Sequence, residues 1–168
     1  MNPYRYFSLI FSYPTEESLQ DIRELAKAAD SGMLRSAEVI CAVSLEDAQT
    51  EFTRLFISSY PTLLCPPYES FYREGIVYGN TAIEVGEWYR TRGLDFTCEA
   101  EPSDLLSAEL DFLALTNDAP FLARMKEWIF DFTGRVKKHS TLYGVAAAEL
   151  EDLLRQEEAP AEASIGVR

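Results

Sequence analysis

The stretch Glu101–Leu113, "EPSDLLSAELDFL", joins a proline turn to an amphipathic run. Pro102 has a fixed φ and no N–H, so it suits the opening of a helix, and Ser103 or Asp104 can cap the unpaired amides. Carboxylates at this end also favour the positive pole of the helix dipole. The apolar stripe recurs at spacings of four and three: Leu106, Leu110 and Leu113, widened by Leu105, Ala108 and Phe112. The pattern predicts a capped helix that packs against a core.

The rest of the chain repeats this helical pattern between turn signals. Residues 58–70 contain three prolines and no sustained period, which predicts a loop or extended segment. Helices are predicted from Asn2 to Pro14, Thr15 to Gly32, Met33 to Ala42, Ser44 to Phe56, Asn80 to Gly93, Asp118 to Val136 and Ser140 to Leu154. A short strand is conceivable only around "GIVYG", so the fold class is all-α, a compact multi-helix bundle.

Chain length and composition favour one domain. The 168 residues are 47% hydrophobic, enough for a sizeable core. Residues 1–157 are assigned to a single helical domain, and the small, polar residues 158–168 to a disordered tail. The predicted core includes Phe52, Leu55, Phe56, Leu110, Leu113, Ile129, Phe132 and Leu150.

Net charge restricts the partners. The formal charge of −13 opposes binding to nucleic acid or to an anionic membrane and favours a basic partner. The N-terminal apolar patch is interrupted by Arg5 and closed by Pro14, so it predicts neither a signal peptide nor a membrane span. Cys41, Cys65 and Cys98 are odd in number and far apart, which indicates reduced thiols and a cytoplasmic location.

Catalytic chemistry has little support in the residues. The only histidine, His139, lies beside two lysines near a predicted helix end, where a solvated cation suits the helix dipole. One histidine and scattered cysteines do not form a zinc site, and no glycine-rich phosphate loop is present. The prediction is a protein without catalytic residues, metal or cofactor.

Aromatic residues are concentrated in "PPYESFYREG", which is predicted to be non-helical. Tyr68, Glu69, Ser70 and Tyr72 could form a groove in which rings give apolar contact and the carboxylate orients a cationic peptide. The alternative is a loop that its aromatic residues attach to the core. The same two interpretations apply to Trp88 and Tyr89.

The order of three segments resembles one known family. "PPYESFY", "GLDFTCEAEPSDLLSAELDFLALT" and "EWIFDFTGRVKKHSTLYGVAAAELEDLL" are similar to the TorD/DmsD/NarJ family of molybdoenzyme assembly chaperones over roughly residues 4 to 155. The family pattern E-P-x-D-H-L-x-x-E-L-x-F-L is matched at Glu101, Pro102, Asp104, Leu106, Glu109, Leu110, Phe112 and Leu113. Leu105 replaces the usual histidine.

The resemblance implies a cytoplasmic chaperone with a TorD-like helical bundle. Its partner would be an apo-molybdoenzyme catalytic subunit, bound at its twin-arginine leader or another segment and held until the cofactor is inserted. The client, not the chaperone, would carry molybdopterin, although weak nucleotide binding has been proposed for some members. The expected client-binding residues are Tyr68, Glu69, Ser70, Tyr72, Trp88, Tyr89, Glu101, Pro102, Asp104 and Glu109.

The sequence is also compatible with two other functions. One is a stable, non-catalytic scaffold or subunit of an oxidoreductase complex, and the other is a nucleotide hydrolase. The expected oligomeric state is a monomer or a domain-swapped dimer, with residues 58–70 as the hinge.

Overall fold

The computed structural model describes residues 2–28, 34–58, 60–96 and 100–157. The ten α-helices in these ranges are α1 (Pro3–Ile10), α2 (Glu16–Lys27), α3 (Arg35–Ala42), α4 (Leu45–Phe52), α5 (Glu69–Glu74), α6 (Asn80–Thr91), α7 (Leu106–Thr116), α8 (Ala119–Lys126), α9 (Ile129–His139) and α10 (Leu142–Gln156). A π-helical turn, Thr53–Ile57, continues α4. The described ranges contain no strand beyond one isolated bridge, so the predicted all-α class is confirmed.

Helix starts follow the predicted caps near the N-terminus. The Asn2 side chain accepts hydrogen bonds from the amides of Tyr4 and Arg5. Thr15 and Ser18 form a reciprocal capping box at the start of α2. Ser44 accepts from the amide of Asp47 at the start of α4. These caps satisfy amides that the first turn of a helix leaves unpaired, which is why short polar residues stand at these positions.

The core joins helices from both ends of the chain. Helix α1 packs on α7, and α10 packs on α9 and α3. All eight core residues predicted from the sequence are buried, with exposures between 0% and 6%. Aromatic rings form the centre: Phe56 contacts the rings of Phe11, Phe52, Phe132 and Tyr143. Edge-to-face and offset pairs of this kind add to the stabilisation from burial alone.

Three local predictions were wrong. Helix α7 begins at Leu106 without a side-chain cap, so neither Ser103 nor Asp104 caps it. The "PPYESFYREG" segment, predicted to be non-helical, contains helix α5, while residues 60–68 are non-helical as expected. The single helix predicted from Asp118 to Val136 is interrupted at Glu127 and Trp128, which separates α8 from α9.

The remaining predictions concern a short strand, residues outside the described ranges and the domain boundary. "GIVYG" has no strand. Gly32, Cys98 and the tail 158–168 lie outside the described residues, and the single-domain boundary stays a prediction. Nowhere in the described ranges does a helix combine the length and apolar composition needed to cross a bilayer.

Candidate functional site

The turn before α7 crosses the segment before α5. Tyr68 and Leu105 form an antiparallel bridge, and the Leu106 amide donates to the Pro67 carbonyl at 2.8 Å. The Asp104 side chain is completely buried, and its Oδ2 accepts a hydrogen bond from the Ser70 amide at 2.7 Å. Asp104 therefore caps α5, a helix distant in sequence, instead of its own helix.

A buried ion-pair network lies on the same side of this crossing. Glu69 is completely buried, and Arg124 approaches its Oε1 at 2.9 Å and its Oε2 at 3.2 Å. Arg73, one helical turn further along α5, also pairs with Glu69 and bonds Glu127 at 2.7 Å. Arg124 reaches Glu84 on α6 at 3.1 Å. Two arginines thus neutralise Glu69, as a buried carboxylate requires, and connect α5, α6 and α8.

Glu109 is buried and forms no ion pair with a described residue. Neither of its carboxyl oxygens receives a hydrogen bond from a donor within the described residues. Burial, followed by the negative charge of the neighbouring Glu69 and then that of Asp104, raises the pKa of Glu109 well above its ordinary value. These effects favour the protonated form of the Glu109 carboxyl, whose O–H can itself donate a hydrogen bond to Glu69.

Glu101 stands at the surface end of the same turn. The Tyr68 hydroxyl donates to Glu101 Oε2 at 2.8 Å, and the Tyr89 hydroxyl donates to the Ser103 carbonyl at 3.0 Å. Gly86 on α6 lies under Ser103, where an added Cβ would approach the Ser103 Oγ to 2.8 Å. The turn thus sits directly on α6 because position 86 carries no side chain.

A groove of about 380 Å³ runs between this turn and α6. Its walls include Glu101, Pro102, Ser103, Tyr78, Gly79, Ala82, Ile83, Gly86, Arg90 and Phe96. Tyr78 is 67% exposed and Ile83 61% exposed, although both are large apolar side chains. Exposed apolar residues beside a carboxylate are typical of a surface that binds an apolar, cationic partner.

The predicted site residues divide into surface and interior groups. Half-buried Glu101 and buried Pro102 line the groove, and Tyr68 is half-buried beside them. Tyr72 lines a different hollow, next to α9. Trp88 is half-buried, against the ring of Phe121. The interior group comprises Glu69, Ser70, Tyr89, Asp104 and Glu109. Their predicted role in client binding stays a prediction, and direct contact would require the turn to open.

The sequence analysis did not predict the exposed apolar residues of the groove or the arginines that pair with Glu69. Ile83 lies off the buried stripe of α6, and this displacement is the signal that could have marked it as exposed. Arg73 follows Glu69 by four residues, a pairing that becomes visible only once the segment is assigned as a helix. Arg124 comes from a distant helix, and no local pattern indicates it.

The described residues contain no cluster typical of a metal site and no cysteine in a setting typical of a reactive thiolate. Within the described ranges, no group of three or more His, Cys, Asp or Glu side chains could hold a metal ion. Burial raises the pKa of the Cys65 thiol to about 11 and also raises that of Cys41, which disfavours the reactive thiolates.

A family model and a solved structure both match this chain. The sequence model of the family described as nitrate reductase delta subunit matches residues 14–139. A solved structure of a candidate redox enzyme maturation protein from Archaeoglobus fulgidus has a TM-score of 0.85 and 36% sequence identity to this chain. The match covers 92% of this chain and 93% of that one. No curated protein matches the chain at a significant level.

Proposed function

We propose a client and a binding groove for this chain, which belongs to the nitrate reductase delta subunit family, the NarJ/TorD-type family of redox enzyme maturation chaperones. The client is the apo-catalytic subunit of a molybdopterin-containing oxidoreductase, captured in the cytoplasm through its twin-arginine leader or a similar segment. The chaperone holds the subunit until its cofactor is inserted and then releases it for assembly or export.

The groove beside Glu101 carries this proposal. A leader segment has arginines followed by an apolar stretch, and the groove offers a carboxylate next to exposed Tyr78 and Ile83. A guanidinium can make a charge-assisted hydrogen bond to Glu101, while the apolar stretch covers the two exposed side chains. The net charge of −13 attracts the cationic segment to this surface.

The interior residues of the motif support the groove from beneath. The Asp104 bond to the Ser70 amide fixes the turn that carries Glu101, and the Tyr89 bond to the Ser103 carbonyl fixes its other side. A rigid groove loses less entropy on binding than a flexible one. The disordered leader still has to become ordered, which costs several kcal/mol, so a micromolar affinity is expected. Such an affinity allows capture and release.

Isothermal titration calorimetry with the client's leader peptide tests this proposal. Glu101→Gln should weaken binding roughly tenfold, because a charge-assisted hydrogen bond is worth about 1.5–3 kcal/mol when buried and less at an exposed rim. Ile83→Ser should weaken it through loss of apolar contact. Glu38→Gln, at an exposed position on α3, is the matched control and should bind as the wild type does. Equal affinities for all four proteins would refute the groove assignment.

A second candidate function is a stable, non-catalytic subunit of an oxidoreductase complex. The family description itself, a delta subunit, is the observation that favours it. Purification of the complex separates the two functions. A chaperone copurifies with the enzyme before cofactor insertion and is lost from the mature form, whereas a subunit stays with the cofactor-loaded enzyme in constant proportion.

A further inference from the structure

A second groove, of about 590 Å³, lies between α5 and α9. It is separate from the groove beside Glu101, since the two share no lining residue. Helix α5 contributes Phe71 and Tyr72, and helix α9 contributes Phe130, Asp131, Gly134, Arg135 and Lys138. Gly134 has open space around its missing side chain, which leaves the α9 backbone accessible along the groove. The groove is large enough for several side chains of a partner.

The charged side chains that line this groove are Arg135, Lys138 and Asp131, so the lining is net positive although the protein is strongly acidic. The Arg135 guanidinium lies over the rings of Phe71 and Tyr72, at 5.3 and 6.0 Å from their centroids, and Arg155 lies 4.6 Å from the Phe130 centroid. Neither Arg135 nor Lys138 forms an ion pair with a described residue. Most other arginines of the described chain pair with carboxylates: Arg5, Arg54, Arg73, Arg92 and Arg124. Arg135 donates to the Leu64 carbonyl at 3.4 Å instead, so no described carboxylate pairs with either cation of the α5–α9 groove.

Two aromatic side chains with unpaired hydrogen-bond donors pack behind this lining. Tyr72 stacks on Trp128 with ring centroids 5.4 Å apart. The Tyr72 hydroxyl and the Trp128 indole N–H are both buried, and neither has an acceptor among the described residues. Buried donors without acceptors are uncommon in folded proteins. Neither donor atom is exposed to the groove, and Trp128 is not one of its lining residues, so a ligand in the groove cannot reach them. A negatively charged ligand is indicated by Arg135 and Lys138.

We propose that the α5–α9 groove docks an acidic segment of the client protein, with carboxylates against Arg135 and Lys138 and an apolar side chain against Phe71 and Phe130. The groove is open along its length, which suits a peptide segment better than an enclosed small molecule. A second copy of this chain is a poorer occupant, because two molecules of charge −13 repel each other. The proposed chaperone function supplies only the identity of the partner. The chemistry of the groove is independent of it.

Charge reversal tests the proposal with three binding partners: the apo-catalytic subunit, the same subunit without its leader, and the leader peptide alone. Arg135→Glu combined with Lys138→Glu should weaken binding of both forms of the subunit at least about tenfold. The affinity of this double variant for the leader peptide should equal that of the wild type. Lys27→Glu combined with Arg35→Glu is the control, because it reverses two exposed cations elsewhere and gives the same net charge.

The outcomes separate this inference from the proposed function. Unaltered subunit binding by the double variant, or an equal loss in the control, would overturn the acidic docking site. No wild-type binding of the leaderless subunit would overturn it as well. Leader binding that fails while subunit binding stays sensitive to Arg135 and Lys138 would refute the leader groove and support this one. Arg135→Gln with Lys138→Gln repeats the test if charge reversal lowers the unfolding temperature.

Discussion

Replacing Glu109 by glutamine should change how the stability of the protein depends on pH. The buried Glu109 carboxyl has a pKa well above its ordinary value, because of burial and the adjacent Glu69 charge. In the unfolded chain the same group loses its proton at about pH 4.3. The folded state therefore binds more protons above that pH, and the free energy of unfolding falls as the pH rises. Glutamine has a similar shape and no proton to lose, so it removes this dependence.

The size of the effect follows from the linkage relation. Each pH unit between the unfolded and folded pKa values changes the stability by about 1.4 kcal/mol. The wild type therefore loses about 1.4 kcal/mol for each pH unit above about pH 4.3 over which the folded carboxyl keeps its proton. In the variant, the glutamine amide can still donate to Glu69, but its second N–H adds an unpaired donor that costs about 1–3 kcal/mol. We therefore expect the variant to be the less stable protein near pH 5 and the more stable one near pH 8.

Urea unfolding of both proteins at pH 5, 6, 7 and 8 measures this directly. The difference in unfolding free energy, variant minus wild type, should rise with pH. Other titrating groups are common to both proteins and cancel in the difference. Glu38→Gln, at an exposed position on α3, should run parallel to the wild type. A Glu109→Gln curve that is also parallel across the whole range would show that Glu109 is ionised in the folded protein, and would refute the reasoning.

Three further predictions concern the turn, the core and the groove. Asp104→Ala should lower the melting temperature by several degrees, because it removes a charge-assisted bond to the Ser70 amide worth about 1.5–3 kcal/mol; an unchanged calorimetric transition would contradict this. Phe132→Ala should cost about 3–5 kcal/mol in urea unfolding, since Phe132 is completely buried against other rings. Tyr68→Phe should weaken leader binding by up to about tenfold, because Glu101 loses the hydroxyl that orients it. An unaltered calorimetric affinity would argue against that role.

Sequence periodicity predicted the helices well where a helix has one buried face and a local cap. Asn2, Thr15 and Ser44 cap helices that begin within one residue of them, so each prediction depends only on neighbours in sequence. Helix α5 was missed because it has six residues, too few for a period, and because the prolines before it indicate a loop. Its cap, Asp104, comes from a segment 34 residues away.

The break between α8 and α9 shows a second limit of sequence reasoning. Leu122, Met125, Ile129 and Phe132 keep the helical spacing across the interruption, so periodicity alone predicts one continuous helix. The interruption at Glu127 and Trp128 lets the Trp128 ring stack on Tyr72 of α5. Tertiary packing overrides local helix preference here, and no spacing rule within the segment indicates it.

The family motif is rich in acid for reasons that differ from one residue to the next. Asp104 and Glu109 are wholly buried, one as a cap for α5 and one as a neighbour of Glu69 with a raised pKa, whereas Glu101 lines a groove open to solvent. A change at Asp104 or Glu109 therefore acts first on the free energy of unfolding and affects a partner only through the shape of the turn. A change at Glu101 acts on a partner directly. Affinity lost at Asp104 without loss of stability would require the turn to open on binding, because a side chain with no exposed surface cannot otherwise contact a client.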